Sequence, residues 1–138
     1  MFIGISKSVR WSADQRFIIS TTDDPGGGSS QGIALIPADP RDSSARRVLY
    51  RAGPNDPGPE QPESTPDGKS IIFKTHDAAG QAAVWSLPSA GGTPRLLIRF
   101  TDPDRQSNRV ELATDGKRIF FTIDEKQSDV YVADLVKR

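Results

Sequence analysis

A short pattern of turn residues followed by an apolar run occurs three times in this 138-residue chain. The clearest copy is TPDGKSIIF at Thr65–Phe73, and the other two are SADQRFIIS and ATDGKRIFF. Their shared aspartates, Asp14, Asp67 and Asp115, are 53 (67 − 14) and 48 (115 − 67) residues apart. A repeat of roughly 50 residues that is rich in short strands is typical of β-propeller blades.

Short apolar runs occupy the rest of each repeat, and no window has the apolar spacing of a helix. The runs are rich in β-branched and aromatic residues and are bounded by Gly, Pro and Asp, which predicts strands. Trp11 and Trp85 lie at strand positions and are expected to pack in the core. The predicted strands are Val9–Trp11, Phe17–Ile19, Ile33–Ile36, Arg47–Tyr50, Gln61–Ser64, Ile71–Phe73, Val84–Leu87, Arg95–Phe100, Arg109–Leu112, Ile119–Phe121 and Val130–Ala133.

The sequence therefore predicts an all-β fold in which four antiparallel strands form each propeller blade. About three blades fit the chain, and two such sets of blades would make a six-bladed ring. Their approximate bounds are 7–52, 59–101 and 107–138, with residues 1–6 as a spare or closing strand. Closed propellers have about 4–8 blades, so three cannot close a ring. The chain is thus expected to be part of a larger propeller, with a homodimer of two three-blade chains as the alternative.

The dipeptides Asp67–Gly68 and Asp115–Gly116 mark the turn between the first two strands of a blade. Asp-Gly favours a two-residue type I′ hairpin loop, because glycine adopts the positive φ that this turn requires. In the first repeat Gln15 stands where the others have glycine. That turn is expected to be strained or of another type.

The composition excludes several classes of function. The chain has 18 basic and 18 acidic residues, so it lacks the basic excess typical of nucleic-acid binders. It has no cysteine, which excludes disulfides and thiolate chemistry. No apolar run approaches the ~20 residues that a membrane span needs. The first residues lack a secretory apolar region, which favours the cytoplasm, or the periplasm if a signal sequence precedes Met1.

Catalytic and metal-binding patterns are weak. GSSQG matches a nucleophile elbow around Ser30, but a triple glycine precedes it where the elbow needs a strand. His76 is the single histidine and is interpreted as a surface residue beside the turn residue Asp77. A metal site would need further ligands close to it. The chain is therefore expected to be non-catalytic and to bind no cofactor or metal.

The segment STPDGKSIIFKTHDAAGQAAVWSLPSAGGTPRLL resembles the repeat of TolB-type β-propellers, which contain a Pro-Asp-Gly turn. In the first repeat Ala13 and Gln15 depart from the pattern. In the third repeat the pattern is found at Asp115, Gly116, Lys117, Val130 and Tyr131. The matching residues of the second repeat are Ser64, Pro66, Asp67, Gly68, Lys69, Val84, Trp85, Gly91, Gly92, Arg95 and Leu96.

This resemblance implies a bacterial, WD40-like propeller module that binds proteins or senses a ligand, as the C-terminal part of a larger propeller. The implied partner is another protein or the rest of that propeller. Two alternatives remain open at this point. The chain could be the accessory propeller of a prolyl-oligopeptidase-like hydrolase, or a sensor propeller fused to a bacterial kinase or DNA-binding regulator.

Charge is unevenly distributed among the loops. Strands of a blade alternate in direction, so the loops after its second and fourth strands share one end, and those loops are acidic. Their acidic residues are Asp23, Asp24, Asp56, Glu60, Glu63, Asp77, Asp102, Asp104, Asp124 and Glu125, against Arg51, Arg105 and Lys126. Asp23, Asp24, Asp77, Asp102 and Asp104 are the candidate ligands for a cation or a basic partner segment. The alternative is that these acids form turns and bind nothing.

Overall fold

The computed structural model describes residues 5–23, 31–42 and 46–125, and every regular element in these ranges is a β-strand. The strands are β1 (Ile5–Trp11), β2 (Phe17–Asp23), β3 (Gln31–Pro37), β4 (Arg47–Arg51), β5 (Glu60–Ser64), β6 (Ser70–His76), β7 (Ala82–Pro88), β8 (Arg95–Arg99), β9 (Arg105–Gln106), β10 (Leu112–Thr114), β11 (Ile119–Phe121) and β12 (Asp124–Glu125). Among these residues no helix is long and apolar enough to cross a membrane.

The strands form two antiparallel four-stranded sheets and a smaller third unit. Sheet 1 has the order β1-β2-β3-β4, and sheet 2 has the order β5-β6-β7-β8. The third unit consists of the hairpin β10-β11 and the short pair β9-β12. The predictions of an all-β chain and of antiparallel four-stranded sheets are thus confirmed. The strand predicted at Val130–Ala133 lies outside the described residues.

Three local features differ from the sequence prediction. The strand expected at Arg109–Leu112 begins only at Leu112, because the segment before it instead bonds to sheet 2 through its backbone. The pair β9-β12 was not expected. Ile5 and Ser6 pair with Thr22 and Thr21, so they extend β1 across a bulge that precedes Val9.

The three units pack face to face, and β6 lies between two apolar cores. Ile71 and Phe73 of β6 belong to the core shared with sheet 1, whereas Ile72 belongs to the core shared with the third unit. This alternation follows from the period of two in a strand. The first core contains Ile19, Ile33, Leu35, Leu49, Ile71, Phe73 and Leu87. The second contains Ile72, Ala82, Val84, Phe100 and Leu112.

The repeated turn of sheet 2 is a four-residue turn. The Gly68 amide donates to the Thr65 carbonyl at 2.8 Å, and Gly68 has a φ of 69°. The Asp67 carboxylate accepts from the Thr65 hydroxyl at 2.7 Å and from the Lys69 amide at 3.0 Å. Asp67 itself does not have a positive φ, so the predicted type I′ loop is wrong. The carboxylate stabilises the turn by accepting local donors.

The turn of sheet 1 has the same geometry although glycine is replaced. The Gln15 amide donates to the Ser12 carbonyl at 2.9 Å, and Gln15 has a φ of 58°. Asp14 accepts from the Ser12 hydroxyl at 2.6 Å and from the Arg16 amide at 3.1 Å. The turn is therefore not of another type. A glutamine in the left-handed region carries a steric cost that glycine avoids.

In the third repeat the hydroxyl has moved by one position. Ala113 stands where the other turns have Ser12 or Thr65, and Thr114 supplies the hydroxyl instead. The Thr114 hydroxyl accepts from the Gly116 amide at 3.0 Å, and Asp115 accepts from the Lys117 amide at 2.8 Å. The Asp–Gly pair is kept while its supporting bonds change.

The three turns lie side by side at one end of the stacked units, here called the turn end. A Cβ placed on Gly68 would be 3.6 Å from the Ala13 Cβ, and one on Gly116 would be 3.3 Å from the Pro66 Cδ. The second and third turns thus each contact the turn of the preceding unit. The opposite end, where β2 and β6 end, is called the loop end.

The left-handed position makes a matched pair of substitutions informative. Gln15→Gly should raise the free energy of unfolding by about 1 kcal/mol, because the steric cost of a side chain at this φ disappears. Gly68→Gln should lower it by about 1 kcal/mol for the same reason. Urea denaturation of the two variants and the parent chain provides the measurement. A loss of stability in Gln15→Gly would contradict the conformation of this turn.

Candidate functional site

A cleft of about 430 Å³ lies between sheets 1 and 2 at the turn end. Its floor is apolar and includes Phe17, Leu35 and Ile71, and its rim carries polar groups of both signs. The rim residues are Ser12, Asp14, Arg47, Ser64, Asp67 and Ser89. Its size and lining suit an apolar side chain of a bound peptide, with the polar backbone of that peptide at the rim.

The acidic residues of this rim are already engaged in their own turns. Hydrogen bonds from Ser12 and Arg16 hold the pKa of Asp14 below its usual value. Those from Thr65 and Lys69 lower the pKa of Asp67 in the same way. Backbone bonds from Lys117 and Arg118 lower the pKa of Asp115. The three carboxylates are therefore ionised turn supports.

These shifts predict how stability depends on acid. A carboxyl whose pKa is lower in the folded chain stabilises the fold above its unfolded pKa, which is about 3.9 for aspartate. That contribution is lost as the pH falls through the lowered folded value. The melting temperature of the chain should thus fall steeply below about pH 4, and less steeply in the triple variant Asp14→Asn, Asp67→Asn, Asp115→Asn. Equal slopes in a series of thermal melts would contradict this role.

A buried lysine dominates the loop end. Lys74 is 0% exposed, and its Nζ donates to the Ser107 Oγ at 2.7 Å and to the Arg109 carbonyl at 2.6 Å. The ammonium also lies 5.9 Å from the centre of the Phe100 ring. Burial lowers the pKa of Lys74, and the charges of Glu111, Glu60 and Asp124 oppose that shift. The cation connects β6 to the segment that leads into β10.

His76 extends this network toward β5. Its Nδ1 is 2.6 Å from a carboxylate oxygen of Glu60, and its Nε2 is 2.9 Å from the Ser107 carbonyl. The ring therefore links a side chain of β5 to the backbone of the segment that leads into β10. The side chain is only 16% exposed and belongs to a strand end. The interpretation of His76 as a surface loop residue is therefore wrong.

Lys74 and Ser107 together resemble a hydroxyl beside an amine base, which is an arrangement used by some hydrolases. Ser107 is 0% exposed, however, and its hydroxyl donates to the Thr122 carbonyl at 2.6 Å. A substrate has no access to this oxygen in the folded chain. The group acts as a polar connection that holds residues 105–111 against sheet 2.

The sequence contained a signal for one of these residues. Lys74 follows Ile72 by two positions, so the strand period places both side chains on the same face, which the repeat buries. A lysine on a buried face calls for hydrogen-bond acceptors. Ser107 carried no such signal, because it lies in an irregular segment without periodicity.

The network yields a prediction about stability. Lys74→Met should lower the free energy of unfolding by about 2 kcal/mol, because the Arg109 carbonyl loses its donor and nearby carboxylates lose their cation. Lys69→Met is the matched control, since Lys69 is exposed on the turn of the same hairpin. That control should change stability by less than about 0.5 kcal/mol. Equal effects in urea denaturation would show that the buried cation contributes nothing.

The candidate acids of the loop end are separate turn residues. Asp77 accepts from the amides of Ala79 at 2.9 Å and Gln81 at 2.8 Å, so it shapes the loop after β6. Asp102 accepts from the Asp104 amide at 3.0 Å, and both residues are exposed. These bonds agree with acids that form turns.

The remaining candidates are a strand-end residue and two residues outside the described ranges. Asp23 ends β2 and pairs through its backbone with Gln31. Asp24 and Ser30 lie outside the described residues. The prediction that Glu63 belongs to the acidic loops is wrong. Glu63 lies inside β5, and its carboxylate accepts from Arg10 at 3.0 Å. Within the described ranges, no cluster of three or more His, Asp or Glu side chains could hold a metal ion.

The two tryptophans have different environments. Trp85 is half-buried against the first core, and its indole donates to the Thr75 hydroxyl at 3.0 Å, as expected for core packing. Trp11 is 59% exposed, so the prediction that it packs in the core is wrong. Its side of β1 is not covered by sheet 2.

No family model matches the chain, and no curated protein or solved structure shows a significant match to it. The resemblance to TolB-type repeats therefore stays a prediction based on the residues that match the pattern. The arguments about function depend on the geometry described above.

Proposed function

We propose that the chain is a non-catalytic segment of about three β-propeller blades, part of a TolB-like ring, and that its loop end binds a basic segment of a partner protein. The observation that carries this proposal is the distribution of charge at that end. Its most buried cation faces inward, while several of its carboxylates face solvent. The stacked sheets support the propeller, because the two described cores each join one unit to its neighbour along the chain.

Among the residues that the structure describes, the loop end carries more carboxylates than cations. Asp56, Asp102, Asp104 and Glu111 are exposed. Of the cations, Lys74 is buried, and Arg105 is paired with Glu125 at 3.0 Å. The described acidic residues at this end are Asp23, Asp56, Glu60, Asp77, Asp102, Asp104, Glu111, Asp124 and Glu125, and the described cations are Lys74, Arg99, Arg105, Arg109 and Arg51. The resulting negative potential favours a basic partner.

The site chemistry supports binding rather than catalysis. The hydroxyl of Ser107 donates to a backbone carbonyl, and it is inaccessible. His76 is engaged by Glu60 and by the Ser107 carbonyl. His76 and Ser107 thus serve to join sheet 2 to the third unit. The exposed carboxylates of the loop end are suited to ion pairing.

Two variants that each remove three negative charges, one at each end of the stack, can test the location of binding. The loop-end variant carries Asp77→Asn, Asp102→Asn and Asp104→Asn, in which the amide oxygen can still accept the turn hydrogen bonds. The probe is a fluorescein-labelled oligolysine peptide, followed by fluorescence anisotropy. With each exposed ion pair contributing roughly 0.5 kcal/mol, the variant should bind about tenfold more weakly than the parent. Binding should also weaken as salt is added.

The matched control removes the same number of charges at the opposite end. It carries Asp14→Asn, Asp67→Asn and Asp115→Asn and should bind the oligolysine peptide as the parent does. An oligoglutamate peptide of equal length should not bind any of these proteins. Equal weakening by both variants would assign binding to net charge alone, and absence of oligolysine binding to the parent would refute the proposal.

A further inference from the structure

Because the chain is a repeat, the burial of a residue can be compared with that of the residues at the same position in the other units. Two sets of equivalent positions are informative. One consists of Ile19, Ile72 and Phe120, which are five residues after Asp14, Asp67 and Asp115. The other consists of Trp11, Ser64 and Leu112, which are three residues before the same aspartates. In each unit, the residue of the first set lies on the face directed toward the next unit along the chain. The residue of the second set lies on the opposite face.

The members of the first set that lie in sheets 1 and 2 are buried. Ile19 is 1% exposed in the core with sheet 2, and Ile72 is 5% exposed in the core with the third unit. Phe120 has the same position in the third unit but is 49% exposed. Its side of the hairpin thus presents an apolar side chain that its equivalents bury.

The set that faces the preceding unit shows the same contrast at the other side of the stack. Leu112 is 5% exposed against sheet 2, while its equivalent Trp11 is 59% exposed. Pro62 is a fully buried side chain, while its equivalent Val9 is 49% exposed. Ser20, which pairs with Val9, is buried. The exposed part of this face is therefore the strip of Val9 and Trp11 along β1.

Phe120 on the third unit and the Val9–Trp11 strip on β1 correspond to the two sides of an interface between neighbouring units. Where sheet 2 meets the third unit, Ile72 and Leu112 belong to the same buried core. Ile72 is the equivalent of Phe120, and Leu112 is the equivalent of Trp11. A Phe120 that meets a Trp11 from another molecule would therefore reproduce a contact that the chain already makes internally.

We propose that this chain associates head to tail with a second copy, so that Phe120 of each copy packs on Val9 and Trp11 of the other. Two such junctions cover Val9, Trp11 and Phe120 of both copies. They also bring together about six units, which lies within the range in which propellers close. Head-to-tail contacts form a ring when their rotation closes. This proposal does not depend on the acidic loop end.

Light scattering on the purified chain tests the proposal directly. The parent should have twice the 15.0 kDa mass of the single chain. Trp11→Glu and Phe120→Lys should each reduce the mass to that of one chain, because a charge replaces an apolar contact at both junctions. Leu96→Glu is the matched control and should remain dimeric, since Leu96 is 41% exposed on β8 and belongs to neither proposed junction.

Mixing the two disruptive variants distinguishes a head-to-tail junction from a symmetric one. One junction of the mixed dimer would contain the natural Phe120 and Trp11, and the other would join the new glutamate to the new lysine. The mixture should therefore recover the double mass that neither variant has alone. Circular dichroism and thermal unfolding of each variant confirm that it has kept its fold.

Several outcomes would overturn the proposal. These are a parent of single mass at all concentrations, a dimer that survives both substitutions, a mixture that stays at single mass, and open polymers in place of a dimer. The loop-end variant with three Asp→Asn substitutions should keep the double mass. Loss of peptide binding and loss of the dimer thus separate the proposed function from the proposed association.

Discussion

Burial of both faces of β6 is the constraint on which the rest of the structure depends. Ile71 and Phe73 face the core with sheet 1, and Ile72 and Lys74 face the third unit. A strand buried on one side reads as alternating apolar and polar residues, whereas SIIFKTH is apolar at consecutive positions. Sheet 2 thus requires a neighbour on each side. Stability in such a stack is the sum of units and of the interfaces between them.

The two interfaces of sheet 2 differ in chemistry. The one with sheet 1 is apolar at its centre and has ion pairing at its edge, where Arg10 meets Glu63. The other combines an apolar core with the buried ammonium of Lys74. A buried cation contributes less to stability than to specificity, because only the arrangement that supplies its acceptors avoids the desolvation cost. The third unit is thereby held in one register against sheet 2.

Much of this fold could be predicted from the sequence, and the failures have physical causes. The strands of sheets 1 and 2 were found because alternation and turn residues are local signals. The turn type was missed because the Asp67 carboxylate, rather than a second residue of positive φ, satisfies the backbone. The role of His76 was missed because Glu60 and Ser107 are distant in sequence and meet it only through packing. The acidic candidates were recognisable as turn residues, but the buried Lys74 network depended on the irregular segment at 105–111.

The burial of Lys74 has a consequence for the chemical reactivity of the chain. Amine-reactive reagents modify the unprotonated, accessible form of lysine, and the Nζ of Lys74 is enclosed while it donates to Ser107 and Arg109. Exposed lysines such as Lys69 have no such protection. Modification of Lys74 therefore requires that the third unit first separates from sheet 2. The rate at which a reagent labels Lys74 would therefore report how often the interface between sheet 2 and the third unit opens while the rest of the chain stays folded.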